Sequence, residues 1–218
     1  HGRSLVPNTK TGEWLCPVCQ DPWDTGKWYC ASDIAVAYYM DPRNFLNEDK
    51  VFMFEDLSYN EAGQTIEGVK RIIARAPYLD AQMIMDAARE AQISPYHLAS
   101  RIVQEQGNRQ EPGVMIAGTY PGYEGFYNYL NVNASGNGEA EVIRNGLQYA
   151  KDQGWDTPQK SIVGGAQFIA KKWIAVGQSS LYLQKFDVVE QGGLYSHQYQ
   201  QNIQAPESEC SSIKKSYL

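Results

Sequence analysis

Glu105 is the residue whose type and position most directly suggest chemistry. The stretch from Pro95 to Gln106 puts Leu98, Ala99, Ile102 and Val103 at helical spacing, with Ser94-Pro95 as a start signal and Gly107 as a stop. Glu105 comes seven residues after Leu98 and three after Ile102. At 100° per residue it therefore lies within about 20° of Leu98 around the helix axis. A carboxyl group on an apolar face loses solvation in its charged form, which raises its pKa. The unpaired carbonyls of a last helical turn push the same way. A carboxyl group kept protonated near neutral pH is what general acid catalysis requires. Spacing alone leaves a second reading open, in which Glu105 leans from a fraying helix end into water.

The second concentration of chemistry is aromatic. The chain carries 15 Tyr, 5 Trp and 6 Phe, and these cluster where Tyr120, Tyr123, Phe126, Tyr127 and Tyr129 fall within one short run. Tyr and Trp offer a flat apolar face and a polar handle, which suits stacking on sugar rings while hydrogen-bonding their hydroxyls. Asn128, Asn131 and Glu124 are interleaved with this run.

Other candidates point to structure. His97 is eight residues before Glu105 and about 80° away around the axis, the position of a structural histidine. No HExxH, phosphate loop or GxSxG string occurs, so metalloprotease, nucleotidase and serine hydrolase chemistry have no support, and no cofactor or metal is expected in the catalytic site. Cys16 and Cys19 form a C-x2-C pair, with Cys30 and Cys210 elsewhere. Four thiolates could hold zinc, but the usual second C-x2-C half is missing. Disulfides are the simpler account in an extracellular protein, and a bridge to Cys210 would tie the start of the chain to its tail.

Composition narrows the class. With 43% hydrophobic and 20% charged residues the chain is an ordinary globular sequence. The net charge of -6 argues against a nucleic-acid partner. No run approaches the length of a membrane span. The chain opens on His1 with no signal peptide before it, which reads as an excised or processed piece.

The elements that must position these residues are helices. Residues 1–31 read as an irregular, cysteine-containing arm packed on a single domain over residues 32–218. Helices are expected from Ser32 or Asp33 to Tyr39, Glu48 to Asp56, Thr65 to Arg75, Leu79 to Ala91 and Pro95 to Gln106. Two more run from Glu139 to Gln153 and from a Thr157-Pro158 cap to Val176, with a short one around Gln198 to Ile203. Residues 107–138 are glycine-rich loop, and any hairpin is expected there. The fold class is mainly α, with a loop-rich side.

Several long strings also resemble one family. YHLASRIVQEQG (Tyr96 to Gly107) resembles the catalytic helix of the bacterial β-N-acetylglucosaminidases of glycoside hydrolase family 73. AYYMDPRNFLN (from Ala37), GTYPGYEGFYNYLNVNASG (from Gly118) and VIRNGLQYAKDQGWDTPQKSIVGGAQFIA (from Val142) are similar to its autolysins in the same order. LYLQKFDVV and SHQYQQNIQAP resemble their C-terminal segment, so the likeness runs from about residue 30 to residue 206. The resemblance implies a lysozyme-like fold of two lobes around a cleft. It also implies Glu105 as the general acid, and cleavage of peptidoglycan between N-acetylglucosamine and N-acetylmuramic acid. The implied setting is secreted and at the cell wall, as a monomer, with wall-binding domains outside this chain.

The second catalytic group stays open. Glu124 is one candidate carboxylate. A substrate-assisted route needs none, because the substrate's acetamido group attacks the anomeric carbon. Tyr127 and Tyr129 would then position that group and Asn128 would hydrogen-bond it. Tyr120, Tyr123, Phe126, Asn128, Tyr129 and Asn131 are the expected substrate contacts. A muramidase or lytic transglycosylase on the same fold, and an inert wall-binding module, are the alternatives.

Overall fold

The structure is a computed structural model of the chain and describes residues 4–19, 22–23, 27–107, 109–189 and 193–218. The chain divides into two compact units. One comprises His1–Asp56 with Ala175–Lys214, the other Leu57–Ile174 with Lys215–Leu218.

In the first unit the arm is part of the fold rather than an appendage. Strands β1 (Leu5–Pro7) and β2 (Trp28–Cys30) pair antiparallel, with Leu5 opposite Cys30 and Pro7 opposite Trp28. Leu5 also bonds across to the tail. Its N–H donates to Gln201 O and its carbonyl accepts from Ile203 N, both at 2.9 Å. That pairing makes an isolated bridge at Asn202, within the stretch where the sequence suggests a short helix.

Helix α1 (Asp33–Met40) starts at Ser32, whose hydroxyl accepts from Ala35 N. The helix expected over residues 48–56 is only a 3-10 turn, Val51–Phe54. Its four residues include two Phe and a Val, poor helix formers, and they pack instead: the Phe54 ring lies 5.2 Å from that of Tyr182.

The second unit builds the helical core. Its helices are α2 (Ile66–Ile73), α3 (Ala81–Ala91), α4 (Pro95–Gln106), α5 (Glu139–Asp152) and α6 (Pro158–Lys172). Thr65, Asp80, Ser94 and Thr157 each accept a hydrogen bond from a first-turn N–H, so the caps written in the sequence are used. Ile72, Ile84, Ala87, Leu98, Ala99 and Ile102 pack the core between α2, α3 and α4. The α2–α4 crossing is close enough that a Cβ on Gly68 would lie 2.5 Å from the Tyr96 ring.

Two helices complete the first unit: α7 (Leu181–Phe186) and α8 (Ala205–Ser216), the latter passing into the second unit at its end. Neither is evident from apolar periodicity. Alpha8 buries Ala205, Pro206, Cys210, Ile213 and Ser216 but is otherwise exposed or half-buried Ser, Glu and Lys.

Among the described residues no strand forms in 107–138, where a hairpin is expected. Positive φ at Gly118, Gly122, Gly125 and Gly138, and at Asn131 and Asn133, interrupts any extended run. No described helix is long and apolar enough to cross a membrane.

Candidate active site

Helix α4 sets the position of Glu105. Its buried residues include Tyr96, His97, Leu98, Ala99, Arg101, Ile102 and Gln106, so most of its circumference is core. The C-terminus is fixed in two ways. Gly107 caps it at φ +80° with its N–H on Val103 O at 2.8 Å, and the Tyr78 hydroxyl donates to Gly107 O at 2.8 Å. Glu105 is half-buried in this last turn.

The loop after α4 comes back to meet it. Asn131 Nδ2 donates to Glu105 Oε2 at 3.0 Å and approaches Glu105 O at 3.4 Å. Gln106 Nε2 donates to Tyr129 O at 3.0 Å, to Asn131 Oδ1 at 3.2 Å and, more weakly, to Asn128 O at 3.4 Å. One buried glutamine thus gathers three loop residues at the foot of Glu105. Burial, with the neighbouring phenols of Tyr127 and Tyr78, pushes the Tyr129 hydroxyl up to about 12, so it stays a neutral donor and acceptor. Burial raises Tyr78 as well, against the opposing charge of Arg109.

The expected site residues separate into groups. Asn131 touches Glu105 directly, and Tyr127 and Tyr78 are each electrostatic neighbours of Tyr129. Asn128 is 0% exposed. Its amide donates to Val132 O and Gly146 O, both at 2.9 Å, and accepts from Val132 N at 3.0 Å. It was expected to meet substrate, but with no surface and a satisfied amide it holds the loop instead.

Tyr123 and Phe126 lie against α5. Lys151 Nζ is 5.8 Å from each ring, and the Tyr123 hydroxyl bonds Gln148 Oε1 at 3.2 Å. The ring centre of Tyr120 is 6.3 Å from that of Tyr123. Glu124 is exposed, and its carboxylate accepts from Gly122 N at 3.0 Å. Backbone N–H groups of that turn hold its pKa below the ordinary value.

Tyr78 and Gln106 are the residues the sequence did not flag. Nothing in a Pro77-Tyr78 loop marks a phenol that anchors a helix end. Gln106 could have been noticed as a polar side chain on the buried face, next to the acid.

No protein-family model matches the chain. It is 31% identical over 182 residues, 81% of its length, to a β-N-acetylglucosaminidase of Bacillus subtilis (strain 168), and spans 20% of that protein. The solved structure of S. aureus glucosaminidase B superposes with a TM-score of 0.70 at 27% identity, over 100% of this chain and 79% of that one. The chain is thus similar to glucosaminidase domains, in keeping with the family 73 autolysins that its strings resemble. A catalytic mutant of S. aureus Autolysin E, solved with the disaccharide NAG-NAM, shares the fold at a TM-score of 0.64 and 20% identity, over 94% of this chain and 86% of that one. The mainly α, lysozyme-like fold expected for a glucosaminidase domain is the one observed.

His97 is wholly buried, and burial together with Arg101 holds its pKa well below the ordinary value, so it is a neutral core residue. The cysteines differ from the expected pattern. No disulfide joins them, and Cys210 Sγ sits at 3.0 Å from Glu207 O, within its own helix. Cys16, Cys19 and Cys30 gather instead around Leu5. The Cys210 sulfur faces Glu207 O and Asp49 O rather than a cysteine of the arm, and the arm bonds the tail through the backbone of Leu5. Among the described residues no group of His, Cys, Asp or Glu is arranged to hold a metal ion.

Proposed function

We propose that the chain is an endo-β-N-acetylglucosaminidase that hydrolyses the bond from N-acetylglucosamine to N-acetylmuramic acid in peptidoglycan, with Glu105 as general acid. The observation that carries this reading is the carboxyl group of Glu105: half-buried at the fixed end of α4, with one oxygen held by Asn131. The names of the similar proteins support the substrate class. We also place this chain at the cell wall, secreted and monomeric, alongside flanking wall-binding domains.

Glu105 protonates the glycosidic oxygen as the bond to C1 breaks. The commitment of Glu124 to its own turn favours the route without a second carboxylate. The acetamido oxygen of the glucosamine attacks C1, giving a cyclic oxazolinium. Water then adds at C1, and the Glu105 carboxylate takes its proton, which restores the acid. Tyr127 and Tyr129 supply polar edges near that centre, and Tyr120, Tyr123 and Phe126 offer faces for neighbouring sugars.

The test is digestion of purified cell wall by the chain and by Glu105→Gln, with mass spectrometry of the products. New reducing N-acetylglucosamine ends from the parent, and none from a variant that still binds wall, support the reading. Reducing muramic ends would make the chain a muramidase, and anhydro-muramic ends a lytic transglycosylase. No release by the parent would leave a wall-binding module.

A further inference from the structure

Asn131 and Gln106 form a relay that ends on one oxygen of Glu105. Gln106 is 4% exposed, and its Nε2 faces the carbonyl oxygen of Tyr129 as well as Asn131 Oδ1. A backbone carbonyl only accepts, so the NH2 end of Gln106 must be the one turned this way. That fixes Asn131 in turn. Were its amide reversed, NH2 would face NH2 on one side and oxygen would face a carboxyl oxygen on the other. Asn131 also adopts φ +48°, a left-handed conformation that Asn tolerates better than most residues.

We propose that Asn131, oriented by Gln106, is a positioning residue for the acid, keeping Glu105 Oε2 as an acceptor so that the transferable proton rides on Oε1. This deepens the glycosidase reading and rests on it. A carboxyl group that rotates freely presents its proton on either oxygen. With Oε2 occupied by an N–H, only one oxygen carries the proton and only one direction of delivery remains. The same bond favours the charged form, which eases proton return in the second half of the reaction.

Asn131→Gly keeps a residue suited to positive φ and removes only the amide. The expected result is a kcat about 10-fold to 100-fold lower with KM nearly unchanged, since positioning acts on the proton-transfer step. The alkaline limb of the pH–rate profile, set by the acid, should move up by about half a unit to one unit because a donor to the carboxylate is lost. Asn131→Asp should move it further up, through like charge. Gln106→Met, which frees Asn131 to turn, should give a smaller shift in the same direction.

A merely structural Asn131 would lower thermal stability and leave the limb in place, and that result overturns the proposal. NMR titration of the Glu105 side-chain carboxyl carbon reads the same shift without turnover. An inactive parent would sink the glycosidase reading, whereas an active, Glu105-dependent parent whose Glu105 titration ignores Asn131→Gly would sink the relay alone.

The cysteines of the arm carry a second, independent inference. The backbones of Cys16 and Cys30 are paired, with Cys16 N on Cys30 O at 2.9 Å. The Cys19 N–H points at Cys16 Sγ at 3.5 Å, and the Cys19 thiol lies within hydrogen-bonding reach of both other thiols. Cys16 and Cys19 also line a cavity of about 310 Å³ with Gly12, Leu15, Pro17 and Tyr29, room enough for a small reactant.

We infer that these three thiols form a redox site holding one disulfide that includes Cys19, with the third thiol of the trio and Cys210 left reduced. Backbone N–H groups favour the Cys16 thiolate, which makes it the entry point. The oxidant is a disulfide, of a small thiol or of a thiol oxidase. A cysteine thiolate attacks one of its sulfurs and expels a thiolate. A second cysteine thiolate then attacks the mixed disulfide and expels the other. The two protons lost by the cysteines end on the two released thiols.

Alkylation of the denatured, unreduced chain followed by peptide mass spectrometry should find two modified cysteines, Cys210 and one of the trio, and Cys210→Ser should leave the disulfide intact. Four modified cysteines, a bridge to Cys210, or one equivalent of zinc bound to the native chain would each overturn it.

Discussion

The two glutamates near the loop of residues 107–138 show how surroundings decide what a carboxyl group does. Glu105 ends a helix buried on most sides, and the side chain of a residue 26 positions away holds one of its oxygens. Glu124 is exposed, and a backbone N–H two residues away closes its own turn. A local backbone donor stabilises the charged form and keeps the group with its turn, whereas a distant side chain fixes a carboxyl group relative to another part of the fold. Proximity to aromatic residues in sequence favoured Glu124 as a partner. The hydrogen bonds favour Asn131.

The largest expected effect would break the comparison at once. Glu105→Gln should lower wall digestion by about 100-fold to 10,000-fold, the usual range for removing a general acid, whereas Glu124→Gln should stay within about 3-fold. Parallel kinetics on the same wall preparation checks this. An equal loss in both variants would mean that Glu124 is the second carboxylate after all and that its turn opens on binding.

A second contrast sets stability against substrate contact within one tripeptide. Asn128 and Tyr129 adjoin in sequence, yet Asn128 is sealed in the loop while Tyr129 lies beside two other phenols. Asn128→Ala would strand the Val132 N–H and carbonyl and remove a second bond to Gly146 O. Each unsatisfied buried group costs about 1–3 kcal/mol, so a loss of about 3 kcal/mol is expected. Denaturant unfolding measures it. Tyr129→Phe keeps the ring and should cost under about 1 kcal/mol, with its effect on kcat instead, since a hydroxyl near the reacting centre is all it removes.

These contrasts also mark what was legible in the sequence. Caps and periodicity gave α4 its observed ends, because Ser94, Pro95 and Gly107 act locally. Glu105 stood out as a candidate from the same helical spacing, and the resemblance to the family strings singled it out as the proposed acid. Its partner was not legible, since a bond between residues 105 and 131 depends on how a glycine-rich loop returns, and no local propensity encodes that path. Alpha8 was missed because its few apolar residues, among Ser, Glu and Lys, leave no apolar stripe. The β-pair was expected in the wrong loop: Leu5–Pro7 and Trp28–Cys30 are too short to show alternation.

The aromatic faces on α5 should matter less than the acid. Tyr123→Ala or Phe126→Ala should raise KM by about 3-fold to 10-fold with kcat nearly unchanged, the pattern of lost uniform binding worth roughly 1 kcal/mol per ring. A matching fall in kcat would place these rings at the reacting sugar and bring the two regions together.

The smallest effect is the most direct probe of whether Glu105 and Glu124 share a field. Glu124 has its pKa depressed by backbone N–H groups, so the help it gives its turn is complete above the ordinary carboxylate value of 4.5 and is lost as pH falls through the lower folded value. The amide of Gly122 should therefore shift in NMR spectra only below pH 4.5, and Glu124→Gln should abolish that titration without altering Glu105. A Glu124 carboxyl that instead titrates above its ordinary value would have to face another negative charge. Glu105 is the nearest in function, and the pair would then act as two carboxylates across one bond, with no role left for the substrate's acetamido group.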